Sequence, residues 1–357
     1  MNNVYSPLKV FHHKDALDAL EAGRQAAPFY IRLKPTNMCN HHCSYCTYGS
    51  GNTQRKTDNR DNIQHADMIP WTKLQEIIAD MGEMGVKAVT LSGGGEPLVY
   101  PHILEAIRQI KAHNIELSII TNGQLLEGST AQELYNARWV RISFDSPVES
   151  EYCRLRSVSP RAFQAVCENI RSFAEHKNPG CVLGINFVVG KDNFSHVYHA
   201  AKLLSELGVD NVKFAALVDN APEYHADIKD EVIAQIHRAK HDFESGKFHI
   251  FNNYENDWQD KNFTLLPFST CYTCRMVSVI AADSKLYLCH TRAYDSGAEL
   301  ADLSEQSFKQ AWFSEEVIRK LRAVNPHEDC KNFCAYESRN RLIQEYFDVD
   351  LSHVNFI

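Results

Sequence analysis

Residues 29–46 read FYIRLKPTNMCNHHCSYC and join a short apolar run to three closely spaced cysteines. The run FYIRLK (29–34) has the length and composition of a β-strand. Cys39, Cys43 and Cys46 follow it, separated by three and then two residues. The stretch therefore predicts a strand whose carboxyl end leads into a metal-binding or redox-active loop.

Downstream of this stretch, short apolar runs alternate with helical patterns as far as about residue 217. The five further runs are KAVTLS (87–92), ELSIIT (116–121), WVRISF (139–144), VLGINFVV (182–189) and NVKFAA (211–216). Between them, apolar stripes with i, i+3, i+4, i+7 spacing begin at residues 74, 103, 163 and 197. A full eight-unit barrel needs about 250 residues, and here the pattern fades after six units. The sequence therefore predicts an α/β fold, a partial TIM-like (β/α)6 barrel of six parallel strands with crossover helices.

The composition narrows the class of protein. Of 357 residues, 44% are hydrophobic and 23% are charged, as in ordinary globular proteins. No apolar run reaches the ~18 residues of a membrane span, and the N-terminus lacks a signal core, so we expect a cytoplasmic protein without a membrane partner. The net charge of −8 argues against nucleic acid as a partner. Disulfides are disfavoured in the cytoplasm, so eleven cysteines in uneven groups indicate metal or redox chemistry.

Polar and glycine-rich residues follow the predicted strands. After the second strand come Gly93, Gly94 and Gly95, followed by Glu96 and Pro97. TNG (121–123) follows the third strand, DS (145–146) the fourth and GKDN (190–193) the fifth. The carboxyl ends of parallel strands meet at one mouth, so we expect the functional site there.

The first cluster has three cysteines, and that number bears on the kind of metal site it can form. A cubic four-iron cluster offers four irons to thiolate ligands, so three cysteines leave one iron open. By spacing alone, a zinc site that borrows His41 or His42 as a fourth ligand stays open as an alternative.

Together, the CxxxCxxC motif with Tyr45 before its last cysteine and the segment GGEP (94–97) resemble the radical S-adenosylmethionine superfamily over residues 28–217. The resemblance implies that Cys39, Cys43 and Cys46 hold a [4Fe–4S] cluster whose open iron chelates S-adenosylmethionine. An electron from a donor such as flavodoxin or ferredoxin would then generate a 5′-deoxyadenosyl radical, which takes hydrogen from a substrate C–H bond.

The same resemblance assigns residues to S-adenosylmethionine. Residues 94–96 would meet the methionine amino group, and Tyr45 would lie near the adenine. Ser143 and Asp145 would contact the ribose, and Arg156 would reach the cofactor carboxylate. For Arg156, a solvated cation at a helix end stays open as the alternative.

The C-terminal part contains a second cysteine group. Alternation in MVSVIAADSKLYLC (276–289) predicts a hairpin with its turn at Asp283 and Ser284, followed by a helical segment and CKNFC (330–334). A four-thiolate site is the simple interpretation, with iron–sulfur and zinc both open. The segment resembles the SPASM/twitch extension of radical S-adenosylmethionine enzymes, which carries auxiliary [4Fe–4S] clusters. Ser284 replaces a usual glycine, and five cysteines instead of seven imply one auxiliary cluster.

Five cysteines exceed the four positions of one cluster. We expect Cys271, Cys289, Cys330 and Cys334 to be the ligands, because Cys271 has the common seventeen-residue gap to Cys289. Cys274 would then be spare and could donate a hydrogen atom to a substrate radical. A site in which Cys274 is a ligand stays open.

We expect a lead segment over residues 1–27, a barrel over 28–235, a linker over 236–268 and the auxiliary domain over 269–357. Because the lead segment of 27 residues is too short for a peptide-recognition domain, we expect a small-molecule substrate such as a sugar, aminocyclitol or nucleotide-linked sugar. The expected reaction is dehydrogenation, with epimerisation and deoxygenation as variants. The alternatives are a peptide-modifying maturase and a non-catalytic metal-binding module.

Overall fold

One ten-stranded sheet organises the computed structural model, which describes residues 6–49, 63–218, 223–255, 266–330 and 334–356. The first seven strands in the chain run parallel, and each pairs with the next in chain order. They are β1 (Tyr30–Leu33), β2 (Ala88–Leu91), β3 (Glu116–Thr121), β4 (Trp139–Ser143), β5 (Val182–Val189), β6 (Asn211–Ala216) and β7 (His249–Asn252). The six predicted parallel strands and the α/β fold class are therefore confirmed.

The seventh parallel strand was not predicted. β7 lies inside the segment expected to be a linker, residues 236–268, and pairs with β6. Only Ile250 of its four residues is fully buried, so the strand leaves no apolar run in the sequence. Part of the expected linker, residues 256–265, lies outside the described residues.

Helices connect the parallel strands and cover the outside of the sheet. They are α2 (Trp71–Met84), α3 (Ile103–Ala112), α4 (Gly128–Leu134), α5 (Glu149–Arg156), α6 (Pro160–His176), α7 (Val197–Glu206) and α8 (Lys229–Phe243). The four predicted apolar stripes lie in α2, α3, α6 and α7 and pack into the main core. The predicted end of the barrel at residue 235 falls inside α8. The domain limits stay a prediction.

The C-terminal hairpin joins the same sheet on the other side of β1. β8 (Val277–Ile280) pairs parallel with β1, β9 (Lys285–Tyr287) pairs antiparallel with β8, and β10 (Glu299–Asp302) pairs antiparallel with β9. Ser284 takes the left-handed conformation (φ +60°) at the turn, so a serine occupies the geometry that usually favours glycine. The predicted hairpin is confirmed, and it brings the second cysteine group beside the first strand.

Short helices complete both ends of the chain. α1 (Lys14–Glu21) precedes the sheet, and α9 (Phe308–Trp312), α10 (Glu315–Arg322), α11 (Pro326–Asp329) and α12 (Glu337–Phe347) follow β10. Short 3-10 turns cover Pro7–His12, Pro97–Val99, Phe194–His196, Thr273–Arg275 and Leu351–His353. In the described part of the chain, no helix has the length and apolar character needed to cross a membrane.

Candidate active site

A cavity of about 1380 Å³ opens at the carboxyl ends of the parallel strands. Both cysteine groups line it, together with the loops that follow β1 to β4. The lining includes every residue predicted to bind the cofactor or a cluster, and excludes Cys274. The lining residues from that set are Cys39, Cys43, Tyr45, Cys46, Gly94, Gly95, Glu96, Ser143, Asp145, Arg156, Cys271, Cys289, Cys330 and Cys334.

The N-terminal cysteine loop is held by the carboxyl end of α5. The amide of His42 donates to the carbonyl of Arg156 at 2.9 Å, and the amide of Ser44 donates to the carbonyl of Leu155 at 2.9 Å. Within the loop, the amide of His41 donates to the sulfur of Cys39 at 3.4 Å. The backbone therefore fixes the loop before any ligand binds.

Side-chain amides tie the cysteine loop to the TNG turn after β3. Asn122 Nδ2 donates to Asn40 Oδ1 at 2.7 Å, and Asn40 Nδ2 donates to Gln124 Oε1 at 3.2 Å. His41 is buried, and its Nε2 lies 2.8 Å from the same Gln124 oxygen. Burial, and then the Arg156 charge, lower the pKa of His41 to about 4. The other ring nitrogen, Nδ1, lies 3.5 Å from Arg156 Nη1. Because both ring nitrogens have a protein partner, His41 is not arranged as the fourth zinc ligand that the cysteine spacing allows.

The glycine run packs directly against the approach to the cysteine loop. A Cβ atom at Gly94 would lie 2.1 Å from Asn37 Oδ1, and one at Gly95 would lie 2.0 Å from the carbonyl oxygen of Met38. The amide of Glu96 donates to that carbonyl at 2.8 Å. Only glycine lets the two loops approach this closely.

The carboxylate of Glu96 holds two loops together. Its Oε1 accepts from the amide of Leu98 at 3.0 Å and from the Thr121 hydroxyl at 2.6 Å, and its Oε2 accepts from the amide of Asn122 at 2.6 Å. Burial raises the pKa of Glu96, and these hydrogen bonds oppose that shift. The side chain thus joins the loops after β2 and β3 at the cavity wall.

Arg156, Asp145 and Tyr45 form one buried network. Arg156 Nη2 forms an ion pair with Asp145 Oδ2, and the Tyr45 hydroxyl donates to the same oxygen. Asp145 Oδ1 accepts from the amide of Val188 at 3.1 Å, and Arg156 Nη1 lies 3.5 Å from His41 Nδ1. Arg156 is 2% exposed, so it is not a solvated cation.

The second cysteine group lies between the hairpin and α12. Cys271, Cys289, Cys330 and Cys334 all face the cavity. Cys274 is 1% exposed and packs in the core, where its thiol donates to the carbonyl oxygen of Cys271 at 3.0 Å. This position does not present Cys274 to the cavity, so its predicted role as a hydrogen-atom donor has no direct geometric support.

Burial changes the acidity of several of the cavity thiols. Burial raises the pKa of Cys39, Cys330 and Cys334 to about 12 each. The pKa of Cys271 is lowered instead, chiefly by a hydrogen bond from the Cys274 side chain. Among the described residues, no three His, Cys, Asp or Glu side chains already converge at metal-ligand distances. Because metal binding and thiol deprotonation are coupled, we expect loading to release protons.

A direct contact links the C-terminal hairpin region to the N-terminal site. The Tyr294 hydroxyl donates to Asn37 Oδ1, and the amide of Ala282 donates to the same hydroxyl at 3.3 Å. Lys34, at the end of β1, donates to the Tyr48 hydroxyl at 2.8 Å and lies over the rings of Tyr48 and Tyr294. The two cysteine groups are therefore parts of one packed unit.

A family model described as the radical SAM superfamily matches residues 33–220, which include the first cysteine group, the glycine run and β2 to β6. The chain belongs to the radical SAM superfamily. This superfamily is enzymatic, and its cofactors are a [4Fe–4S] cluster and S-adenosylmethionine. The resemblance found in the sequence is therefore confirmed.

Relatives of this radical SAM protein include a tungsten-containing aldehyde ferredoxin oxidoreductase cofactor-modifying protein from Pyrococcus furiosus, 25% identical over 203 residues. That match covers 56% of this chain and 54% of the relative, so the chain spans about half the relative's length. Among solved structures, Streptococcus suis SuiB bound to S-adenosylmethionine superposes with a TM-score of 0.62 at 17% identity, covering 90% of this chain and 75% of SuiB. Native anSMEcpe with bound AdoMet gives a TM-score of 0.60 at 16% identity, covering 90% and 97%. These structural likenesses establish the shared fold.

The residues of this radical SAM protein fit the family's cofactors. The Nε–H of Arg156 is buried without an acceptor among the described residues, and Arg156 lines the cavity. A buried, unpaired guanidinium donor fits a ligand carboxylate. Three thiols in one loop, with an amide already donating to a sulfur, fit a three-cysteine cluster site.

Sequence reasoning missed several residues that build this site. Asn37, Asn40, Gln124 and Asn340 hold its loops through hydrogen bonds between residues far apart in the chain. Asn40 lies inside the cysteine motif, and that position is the one sequence signal that could have pointed to a role in the site. The others carry no local pattern, because their partners are set by the folded topology.

Proposed function

We propose that this protein is a radical SAM enzyme that removes a hydrogen atom from a C–H bond of a small polar substrate with the help of an auxiliary [4Fe–4S] cluster. Cys39, Cys43 and Cys46 would hold the first cluster, and Cys271, Cys289, Cys330 and Cys334 the auxiliary one. The expected net reaction is dehydrogenation.

One observation carries the proposal: both cysteine groups line the same cavity. Sites for single small ligands usually measure about 300–1,000 Å³. The cavity of about 1380 Å³ exceeds that range and can take cofactors and a substrate together. A substrate between the cysteine groups would lie within reach of both.

The chain's own residues position the reaction. When bound, the first cluster and S-adenosylmethionine supply a 5′-deoxyadenosyl radical. The Nε–H of Arg156 would bind the cofactor carboxylate, while Asp145 offsets the guanidinium charge and orients it. Residues 94–96 would present backbone groups to the methionine amino group. Tyr45 and Ser143 would face the nucleoside, and the Tyr45 hydroxyl is already fixed by Asp145.

A dehydrogenation balances as follows. The substrate would give up one hydrogen atom, which ends in 5′-deoxyadenosine, one electron, which the auxiliary site would accept, and one proton, which would go to solvent. The products derived from the cofactor would be methionine and 5′-deoxyadenosine. The reducing electron comes from a donor such as flavodoxin or ferredoxin.

The cavity wall supports a polar, charged substrate. Arg32 of β1 and Lys34, the residue that follows β1, both line the cavity. Arg32 hydrogen bonds to Tyr30, and the ionisable groups nearest to it are tyrosines. None of the ion pairs among the described residues involves Arg32. A cation without a carboxylate partner in a cavity favours an anionic ligand group. A nucleotide-linked sugar combines such a group with the hydroxyls and C–H bonds that the reaction needs.

Anaerobic reconstitution tests the enzyme proposal. We expect about eight irons per chain, and release of 5′-deoxyadenosine when a reductant and S-adenosylmethionine are added. The Cys43→Ala variant should keep about four irons per chain and release no 5′-deoxyadenosine. Cys153→Ala, at a thiol outside both groups, is the matched control and should behave like the parent. Two zincs per chain and no 5′-deoxyadenosine would instead support a non-catalytic metal-binding module.

A peptide substrate is the second candidate, favoured by the structural neighbours. SuiB has been crystallised with its precursor peptide SuiA, and anSMEcpe with the Kp18Cys peptide. Deuterium transfer separates the candidates: nucleotide sugars, aminocyclitols and peptides, each deuterated at carbon, are incubated with the reconstituted enzyme. Deuterium in 5′-deoxyadenosine from a nucleotide sugar or aminocyclitol supports our proposal, and deuterium only from peptides overturns the small-molecule assignment.

A further inference from the structure

A buried carboxamide bridges the auxiliary cysteine group and α12. Asn340 is 0% exposed, and its Oδ1 accepts from both the amide and the hydroxyl of Thr273, each at 2.8 Å. Its Nδ2 donates to the sulfur of Cys271 at 3.6 Å. The side chain therefore connects a backbone donor to a predicted cluster ligand.

The orientation of this amide follows from its partners. A backbone N–H can only donate, so the Asn340 atom that faces the Thr273 amide must be the oxygen. The NH₂ group must then face Cys271. The N–H···S contact is thus set by the Thr273 amide, and an amide flip would place two donors against each other.

This donor differs from those at the neighbouring cysteines. Cys289 receives hydrogen bonds from Thr291 and Arg292, and Cys334 from the amide of Tyr336, all within three residues in sequence. Asn340 lies 69 residues from Cys271, on another element. A long-range, fully buried donor is held by packing and acts in a low-dielectric surrounding.

We propose that Asn340 is a positioning residue that sets the reduction potential of the auxiliary cluster through its N–H···S hydrogen bond to Cys271. The inference rests on the proposed function, because it requires the auxiliary cluster. Adding an electron makes a cluster more negative, and an N–H donor at a ligand sulfur stabilises that added charge. Asn340 would therefore make the auxiliary site a better electron acceptor.

The test uses the full-length chain with only the auxiliary site able to bind iron. In a Cys39→Ala, Cys43→Ala, Cys46→Ala background, iron content is measured and the midpoint potential is obtained by titration followed with electron paramagnetic resonance. Three variants are then compared in that background. They are Asn340→Leu, Asn340→Asp and Thr273→Val.

Each variant isolates one part of the bridge. Asn340→Leu removes the donor and leaves an apolar side chain of similar size. Asn340→Asp keeps an oxygen for Thr273 but replaces the N–H at the sulfur by a second oxygen. Thr273→Val removes one hydrogen bond to Asn340 and leaves the sulfur contact and the Thr273 amide in place.

We expect both Asn340 variants to hold about four irons and to shift the midpoint potential to more negative values. A tenfold change in the equilibrium between oxidised and reduced cluster corresponds to ~59 mV for a one-electron couple. Thr273→Val should leave the potential close to the parent's.

Three results would overturn the inference. They are an unshifted potential in both Asn340 variants, an equal shift in Thr273→Val, and loss of iron from both Asn340 variants, which would show a role in assembly. A parent background that binds no iron would instead overturn the auxiliary cluster itself, and with it this inference. The two failures are therefore distinguishable.

Discussion

Replacing Gly95 by alanine tests how the glycine run supports the cysteine loop. An added Cβ would lie 2.0 Å from the carbonyl oxygen of Met38 and 2.5 Å from the carbonyl carbon of Asn37. Both atoms belong to the backbone that leads into Cys39. No flexible side chain can move aside to relieve these contacts.

The displacement can be estimated from these distances. Cβ contacts under 3.0 Å essentially never occur, so the Met38 oxygen must move by at least 1.0 Å, the difference between 3.0 and 2.0 Å. Metal sites tolerate departures of only about 0.2 Å in ligand distance. Overpacking of this kind typically costs about 1–3 kcal/mol in the free energy of unfolding. The chain should therefore fold but fail to hold the first cluster.

Iron counting after anaerobic reconstitution is the assay. Gly95→Ala should fall from about eight irons per chain to about four, with the auxiliary site still loaded, and should release no 5′-deoxyadenosine. Gly180→Ala is the matched control, because a Cβ there meets no atom within 4 Å. A Gly95→Ala protein with full iron content and parental 5′-deoxyadenosine release would refute the reasoning.

Three further substitutions probe the buried groups of the site. Glu96→Gln places an NH₂ group against the backbone amide of either Leu98 or Asn122, whichever way the carboxamide is turned, and should lower the free energy of unfolding by about 1–3 kcal/mol in urea titrations. Unchanged stability would show that the carboxylate is dispensable. Arg156→Met leaves Asp145 buried without its ion pair and should lower the free energy of unfolding by about 3–5 kcal/mol. In the double variant, Asp145→Asn should restore part of that loss. Strictly additive effects would contradict coupling between Arg156 and Asp145. Cys274→Ala should keep the parental iron content after reconstitution, because that thiol does not line the cavity; loss of about four irons would make it a ligand.

Most of the fold could be predicted from the sequence because each central strand is a short, mainly apolar run between helical patterns. β5, VLGINFVV, has five of its eight residues buried and is visible from its composition alone. β7 was missed because only Ile250 is fully buried and the strand is defined by pairing with β6. The pairing of β8 with β1 could not be predicted from the sequence either, since it joins residues about 250 positions apart.

The predicted site residues lie together, but the sequence could not show how they interact. Glu96 was assigned to the cofactor by resemblance, yet its carboxylate accepts hydrogen bonds from Thr121 and Asn122 in the next loop. The cysteine spacing allows His41 as a zinc ligand, yet its ring faces Gln124. These roles depend on side-chain orientation across loops, which local patterns do not encode.

The most direct test of the central claim is whether S-adenosylmethionine binds at an iron left open by three cysteines. Electron paramagnetic resonance of the reduced, reconstituted protein is recorded with and without S-adenosylmethionine, for the parent and for Cys46→Ala. We predict that the cofactor changes the spectrum of the parent and leaves that of Cys46→Ala unaltered. A parent spectrum that does not respond to S-adenosylmethionine, in protein shown to hold its first cluster, would contradict the account.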